Sequence, residues 1–296
     1  MMGTQVTVEL WSEDKAKGLQ IIEQAMAAMQ RVDRMMNPLN PDSALYQVNQ
    51  QAYAAPVSVP EALFGVIERA LHYSRLSDGA FDISFASVGK YYDYRAGRAP
   101  SAEFVAQKRK HINYRAIALN PKNHSVAFHT GDLQVDLGGI AKGYAVDQAI
   151  TVLIEAGIVA GFVSAGGDSR VLGDHGDRPR MIGIKHPRKK DEFAVMIPLA
   201  DTAISTSGDY ERFFIKDNIR LHHILDPKTG HSSGAVQSVS VLAPLAIDSD
   251  ALSTTTFVLG VERGLALINS LPGIDAIIID SEGKLHYSAG LLRQTP

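Results

Sequence analysis

Val135-Asp136-Leu137-Gly138-Gly139-Ile140-Ala141-Lys142-Gly143-Tyr144-Ala145-Val146-Asp147 is the stretch on which the rest of the chain turns. A short apolar run reaches a carboxylate, passes two adjacent glycines and enters a helical pattern that carries a lysine in its first turn. Ile140, Tyr144 and Ala145 fall at helical spacing, and the pattern continues to about Ala156, where Gly157 stops it. Paired glycines at a helix start let backbone N–H groups approach a ligand closely, and a helix N-terminus favours negative charge. Lys142 places a full positive charge where the helix dipole alone disfavours one. Two readings fit. One is a site for an anionic ligand; the other is a tight strand-to-helix turn with Lys142 in solvent.

Outward from this stretch, Thr4 to Trp11 alternates Val6, Val8 and Leu10 with polar neighbours, as a half-buried strand does. Asp14 to Met36 reads as a long amphipathic helix with Leu19, Ile22, Met26, Met29 and Val32 on its apolar face. Ser43 is placed to cap a short helix to about Val48, and Pro60 to open another that runs to about Leu76. Gly79 to Gly97 is rich in Phe and Tyr without a regular period, which is either a packed aromatic cluster or a wall for a flat ring. From Ser101 to Val135 a helix-to-strand stretch shows no chemical signal.

Beyond the central helix, Val159–Ser164, Arg180–His186, Phe193–Leu199, Ala203–Ser205, Arg212–Ile215, Leu221–Leu225 and Val236–Ala243 read as short strands separated by turns. Ile247–Leu259 and Glu262–Ser270 read as helices, and Ala276–Ile279 and Leu285–Tyr287 as closing strands. Such a meander predicts antiparallel sheet rather than repeated βαβ units, hence the α+β class. Neither a low-complexity linker nor an internal repeat interrupts residues 1–296, so one domain is expected, with room for two lobes.

Composition bounds the function. The chain has 296 residues, is 45% hydrophobic and 21% charged, and its net charge of −3 gives no electrostatic support for nucleic-acid binding. No apolar run approaches the roughly 18 residues a membrane span needs. Cysteine is absent, which excludes disulfides, thiolate metal sites and cysteine nucleophiles and fits an oxidising compartment.

Several short segments carry chemistry-bearing residues. Asp250 and Thr254 stand four apart in a helical pattern, so their oxygens share a face. A carboxylate and a hydroxyl are hard donors suited to Mg²⁺, although Asp250 in a first helical turn is also favoured by the dipole alone. His222 and His223 adjoin in a strand-like run and face opposite ways. Asp226 reads as a turn residue that serves Thr229 and Gly230. Gly166-Gly167-Asp168 and Ser207-Gly208-Asp209 are tight turns or places of close backbone approach to a ligand.

Taken in order, Met2-Gly3-Thr4, Gly79-Ala80-Phe81-Asp82, the opening stretch, Ser164–Asp168, Ser205–Arg212, His223–Gly230 and Asp250–Thr254 resemble the ApbE-type flavin transferases, the FAD:protein FMN transferases. The resemblance runs from about Met2 to Gly290. It implies a two-lobed, T-fold-like architecture with the ligand between the lobes. It also implies Mg²⁺-dependent transfer of FMN from FAD, the substrate, to a threonine hydroxyl of an acceptor protein, with release of AMP. The acceptor implied is a flavoprotein subunit of a membrane redox complex. Met2, Ala80, Phe81, Asp82, Asp136, Gly138, Lys142, Gly167, Ser207 and Ile224 are implied to bind FAD. Metal ligation is implied for Asp250, Thr254, the vicinity of Ser253 and the Gly139 carbonyl. His223 is implied as the base, with Lys142 and Asp250 also in catalysis. Leu39 departs from the aromatic residue many relatives carry to stack on the ligand. No signal peptide precedes the first strand, and the resemblance implies export, so a periplasmic location is expected, with a cytoplasmic one as the alternative. On the same pocket, an FAD pyrophosphatase or a non-catalytic FAD-binding protein are the rival readings.

Overall fold

The computed structural model describes residues 1–174 and 179–293. In chain order, β1 (Val6–Leu10) leads into α1 (Lys15–Met36) and α2 (Ala44–Gln51), then β2 (Val57–Ser58), α3 (Glu61–Leu76), α4 (Ala86–Gly89) and α5 (Ala102–Lys108). β3 (Ile117–Asn120) and β4 (Ser125–Phe128) precede α6 (Ala141–Glu155). Strands β5 (Gly161–Ala165), β6 (Asp168–Leu172), β7 (Arg180–Lys185), β8 (Phe193–Leu199), β9 (Ala203–Gly208), β10 (Phe213–Lys216), β11 (Ile219–His222) and β12 (Val236–Ala243) follow. The chain then forms α7 (Ala246–Asn269), β13 (Asp275–Asp280), β14 (Leu285–Tyr287) and α8 (Ala289–Arg293).

A seven-stranded sheet, ordered β1-β5-β6-β9-β12-β13-β14, carries the fold, and each of its pairings is antiparallel. β2, β4 and β3 make a second antiparallel sheet, while β7–β8 and β10–β11 are separate two-stranded ribbons. The α+β expectation holds. β12 is buried along its whole length because both of its faces are covered. On one face Val239 and Val241 join the main core with α1, α6 and α7. On the other, Leu242 meets Ile184 and Leu199 of the β7–β8 ribbon. Side chains of a strand alternate between faces, so a single strand serves both layers. The main core draws on residues from Ile21 to Ile278.

Local chemistry explains most of the element ends. Asp14 caps α1 by accepting from Lys17 N at 3.0 Å, and Ser43 caps α2 by accepting from Tyr46 N at 3.0 Å. Pro60 immediately precedes α3. The buried face of α1, however, is Gly18, Ile21, Ala25, Ala28, Met29, Val32 and Met36, and Leu19 stands 54% exposed. Expecting the largest side chains at the interface misjudged the helix's rotation. Gly18 packs against Leu10 and Ser12 at the end of β1, and the small Ala25 and Ala28 suit the close packing of α1 on α6, which decides the face that turns inward.

α5, β3 and β4 match the helix-to-strand reading of Ser101 to Val135, but the apolar run that leads directly into the two glycines is not a strand. Residues 133–137 lie outside any strand: Asn49 Oδ1 accepts from Val135 N at 2.7 Å, Asn49 Nδ2 donates to Val135 O at 2.9 Å, Ser87 Oγ accepts from Gln134 N at 3.0 Å, and the Ile83 carbonyl accepts from Asp136 N at 3.0 Å. Val159, placed in a strand by its apolar neighbours, is 80% exposed, and β5 begins at Gly161.

α7 lacks a side-chain cap of its own at Leu245. Instead the buried Asp147 of α6 accepts from Ala246 N at 3.0 Å and Ile247 N at 2.9 Å, and Arg170 donates to it at 2.7 Å. Asp248 takes a two-pronged contact from Arg69 and the Tyr73 hydroxyl, tying α3 to the same helix. Gly260, at φ 76° and ψ −172°, breaks the helical path where the sequence separates two helical segments. By length and composition alone α7 could cross a membrane, with mean hydropathy 1.3 over its most apolar window, although Asp248, Asp250, Glu262 and Arg263 interrupt it and it contains no continuous apolar run of that length. That apolarity serves the interior: half of the window is buried against the sheet and α6.

Candidate active site

α6 and α7 touch at Gly143. A methyl group there would lie 2.1 Å from the Ala246 carbonyl oxygen and 2.8 Å from Asp250 Cβ, so only glycine permits this crossing. The approach brings the Gly143 N–H, in the first turn of α6, to 2.9 Å from Asp250 Oδ2. Lys142 comes with it. Its ammonium lies 2.5 Å from Asp168 Oδ2 and 3.2 and 3.4 Å from the two Asp250 oxygens. Both carboxylates are almost wholly buried, and the lysine is three-quarters covered. Neither earlier reading of Lys142 anticipated this arrangement: its charge is held between two carboxylates of its own chain. Burial alone would lower the lysine's pKa, but Asp168 and Asp250 outweigh it and hold the ammonium above its ordinary range. Asp250 moves the other way: burial and the neighbouring Asp168 raise its pKa, while Lys142 and Gly143 N–H oppose the rise.

Around Asp250 the remaining oxygens come from hydroxyls. β9 presents Ser205 and Ser207 on one face, and α7 presents Ser249, Ser253 and Thr254 toward it. Ser205 pairs with Ser249 at 2.7 Å, Ser207 with Ser253 at 2.9 Å and with Thr254 at 3.2 Å. The two-residue repeat of a strand thus matches the four-residue repeat of a helix. Gly139 lies against the same hydroxyl: a methyl on it would be 3.3 Å from Thr254 Oγ1 and 3.3 Å from the Phe81 ring. Gly139 thus packs against Thr254, which stands one helical turn from Asp250; a carboxylate, a hydroxyl and a backbone carbonyl from these residues are all hard oxygen donors of the kind Mg²⁺ takes. The two carboxylates and one ammonium sum to −1, and a cation would offset that buried charge. No cluster of three or more His, Cys, Asp or Glu occurs among the described residues, so the fit is to a mixed oxygen set and not to an acidic or histidine cage.

Asp136 is half-buried and accepts from Gly138 N at 2.6 Å. Burial raises its pKa, and the Gly138 N–H, Arg212 and Lys142 pull it back. The same two cations act on His223, whose pKa is depressed to about 3 by burial first and by Arg212, His222 and Lys142 after it. Its Nδ1 is buried without a hydrogen-bond partner. His222 is committed elsewhere: Ile224 N–H donates to Nδ1 at 3.3 Å, leaving Nε2–H to donate to Ser233 O at 2.6 Å, with the ring edge-on to Phe257. β11 ends at His222 and His223 lies in the bend that follows, so the alternation of a regular strand does not apply to the pair. Ile224 is buried beside them.

Other expected residues lie at a remove or carry structural duties. Ala80, Phe81 and Asp82 are buried; Phe81 packs edge-on to Tyr73. Asp82 accepts from Ser84 N at 2.8 Å, Ser84 Oγ at 2.6 Å and Tyr114 N at 2.9 Å, so its carboxylate organises the loop that carries the triplet. Gly167 occupies the β5–β6 turn, Met2 donates its N–H to Asp33 at 3.1 Å, and Leu39 is 85% exposed. The aromatic stretch divides: Phe85, Tyr92 and Tyr94 belong to a separate cluster in which Tyr92 stacks on Tyr94, whereas Phe81 belongs to the main core beside Gly139. Asp209 is consumed by a two-pronged contact from Arg188 at 2.7 and 2.5 Å. Asp226 organises its turn, accepting from Lys228 N through its side chain and from Thr229 N and Gly230 N through its carbonyl. Sequence reasoning assigned no role to Asp147 or Arg212. A carboxylate four residues after Gly143, on the apolar face of α6, was a readable signal for Asp147. Arg212, exposed and adjacent to Gly3, had none.

The architecture is that of known flavin transferase structures. The ApbE protein of Thermotoga maritima superposes with a TM-score of 0.91 at 34% identity, over 99% of this chain and 96% of that one. The flavin transferase ApbE of Vibrio cholerae does so at 0.89 and 27% identity, over 99% and 96%. In sequence, the FAD:protein FMN transferase of Treponema pallidum (strain Nichols) is 32% identical over 311 aligned residues, covering 99% of this chain and 86% of that protein. The sequence model of the ApbE family matches residues 2–278, and the chain belongs to that family.

Proposed function

We propose that this protein transfers FMN from FAD to a hydroxyl of an acceptor protein and releases AMP. The observation that carries the reading is the meeting of three distant segments at one place: 136–143, 205–207 and 250–254 put Lys142, Gly139, Ser207, Asp250 and Thr254 within hydrogen-bonding or packing distance of one another. The relatives named FAD:protein FMN transferase span the same length of chain, which supports the same activity here.

In this reading Asp250, Thr254 and the Gly139 carbonyl hold Mg²⁺, which when bound offsets charge on the pyrophosphate. Lys142 and Arg212 add positive charge beside it. The acceptor's oxygen, a threonine hydroxyl by the family resemblance, bonds to the FMN-side phosphorus as the phosphorus–oxygen bond to AMP breaks. His223 Nδ1 is the acceptor for the hydroxyl proton. Its low basicity reflects burial and nearby cations, and a bound pyrophosphate neutralises those cations and raises the imidazole's affinity for a proton. We further read residues 1–296 as one two-lobed unit, supported by the main core that runs through both sheets. A periplasmic location and an acceptor subunit of a membrane redox complex complete the proposal, supported by the family resemblance and by the absence of cysteine.

Incubation with FAD, Mg²⁺ and a candidate acceptor tests it. The expected result is flavin fluorescence on the acceptor that survives denaturing electrophoresis. Free FMN and AMP without labelled acceptor would instead establish the pyrophosphatase, and unchanged FAD the binding protein.

A further inference from the structure

The ammonium of Lys142 is not shared evenly. It stands 2.5 Å from Asp168 and 3.2 Å or more from Asp250. Asp168 opens β6, in register with Ala165 of β5 and Ser205 of β9, so the backbone that carries this carboxylate is held by a strand on each side. Lys142 is the described side-chain partner of that carboxylate, whereas Asp250 also receives the Gly143 N–H. One ammonium cannot neutralise two buried carboxylates, and the excess negative charge falls on the more weakly paired of them, Asp250.

We propose that Asp168 is a positioning residue that holds the Lys142 ammonium away from Asp250, so that Asp250 exchanges its share of the ammonium for a divalent cation. The inference rests on the proposed metal role of Asp250. With Asp168 neutral, Lys142 would close onto Asp250 and satisfy it, and an incoming cation would meet a neutral pair. With Lys142 neutral, the two carboxylates would attract a cation more strongly than in the parent. A salt bridge that merely braces the fold predicts neither change.

The test is Mn²⁺ binding to the purified full chain without flavin, followed by loss of the free-ion electron paramagnetic resonance signal. Asp168→Asn should weaken Mn²⁺ binding by about tenfold or more, and Lys142→Met should strengthen it by a comparable factor. The double variant restores the parent's net charge and should bind within about threefold of the parent, since the two effects are opposite in sign. Thermal unfolding of each variant confirms that it folds; if Asp168→Asn does not, the strengthening in Lys142→Met decides the matter. Mn²⁺ binding by the parent that neither substitution moves overturns the role of Asp168 and leaves the transferase reading intact. A parent that binds no Mn²⁺ overturns both the inference and the metal role of Asp250. Failure of acceptor labelling, with the opposite shifts observed, overturns the proposed transfer alone.

Discussion

Asp250→Asn separates what the buried carboxylate does for the fold from what it does for the chemistry. The substitution keeps shape and removes one charge from a site in which Asp168 and Asp250 share the single ammonium of Lys142. At an effective dielectric of about 20, the attraction to Lys142 is worth roughly 5 kcal/mol, and the repulsion from the more distant Asp168 carboxylate roughly 3–4 kcal/mol. They oppose one another, and the amide also relieves the desolvation of a charged group. The net effect on the metal-free fold is therefore small, about 1 kcal/mol, or a few degrees in Tm for a chain of this size. Catalysis has no such cancellation. Loss of a metal ligand removes several kcal/mol of transition-state stabilisation, and at about 1.4 kcal/mol per tenfold the rate should fall roughly a thousandfold. Differential scanning fluorimetry without metal, and acceptor labelling with saturating FAD and Mg²⁺, read the two quantities separately. Activity within tenfold of the parent, or a Tm lowered by more than about 10 °C, would refute the reasoning.

Thr254→Val keeps the side chain's shape and removes one donor to the proposed cation, so its labelling rate should fall between those of Asp250→Asn and the parent. Gly143→Ala gains about 1 kcal/mol of helix propensity but drives a methyl to 2.1 Å from the Ala246 carbonyl oxygen, where backbone must yield. The clash wins, and urea unfolding should show a net loss of about 2 kcal/mol or more. For His223, a folded-state pKa of about 3 lies below the unfolded value, so the unfolded chain binds the extra proton as pH falls below about 6.5 and stability drops with it. His223→Gln removes that contribution. Between pH 6.5 and 5 the parent should lose up to about 1.4 kcal/mol per pH unit more than the variant, as read from urea midpoints. Equal pH slopes would mean that the histidine is already solvated and titrates normally.

Element types were legible because they rest on local chemistry. The long alternating and helical periods from Thr4 to Met36, the cap at Ser43, and the interruption at Gly260 need only the residues nearest to them. The antiparallel class followed from the shortness of the strands and turns after Gly161. Motif order was equally local, and it named the segments that later met.

Which side chains meet was another matter. The rotation of α1 was set by small residues against α6, not by its own hydrophobic pattern. The run through Val135 is not a strand because Asn49, 86 positions away, hydrogen-bonds to both the N–H and the carbonyl of Val135. Lys142, read alone, looked like a cation awaiting an anionic ligand. Its proximity to Asp168, 26 positions on, and to Asp250, 108 positions on, depends on the close crossing of α6 and α7 at Gly143 and on the start of β6. Residue type and periodicity determine what a segment can form. The electrostatics of a buried site depend on distances between segments far apart in the chain, and those distances exist only once the core has packed.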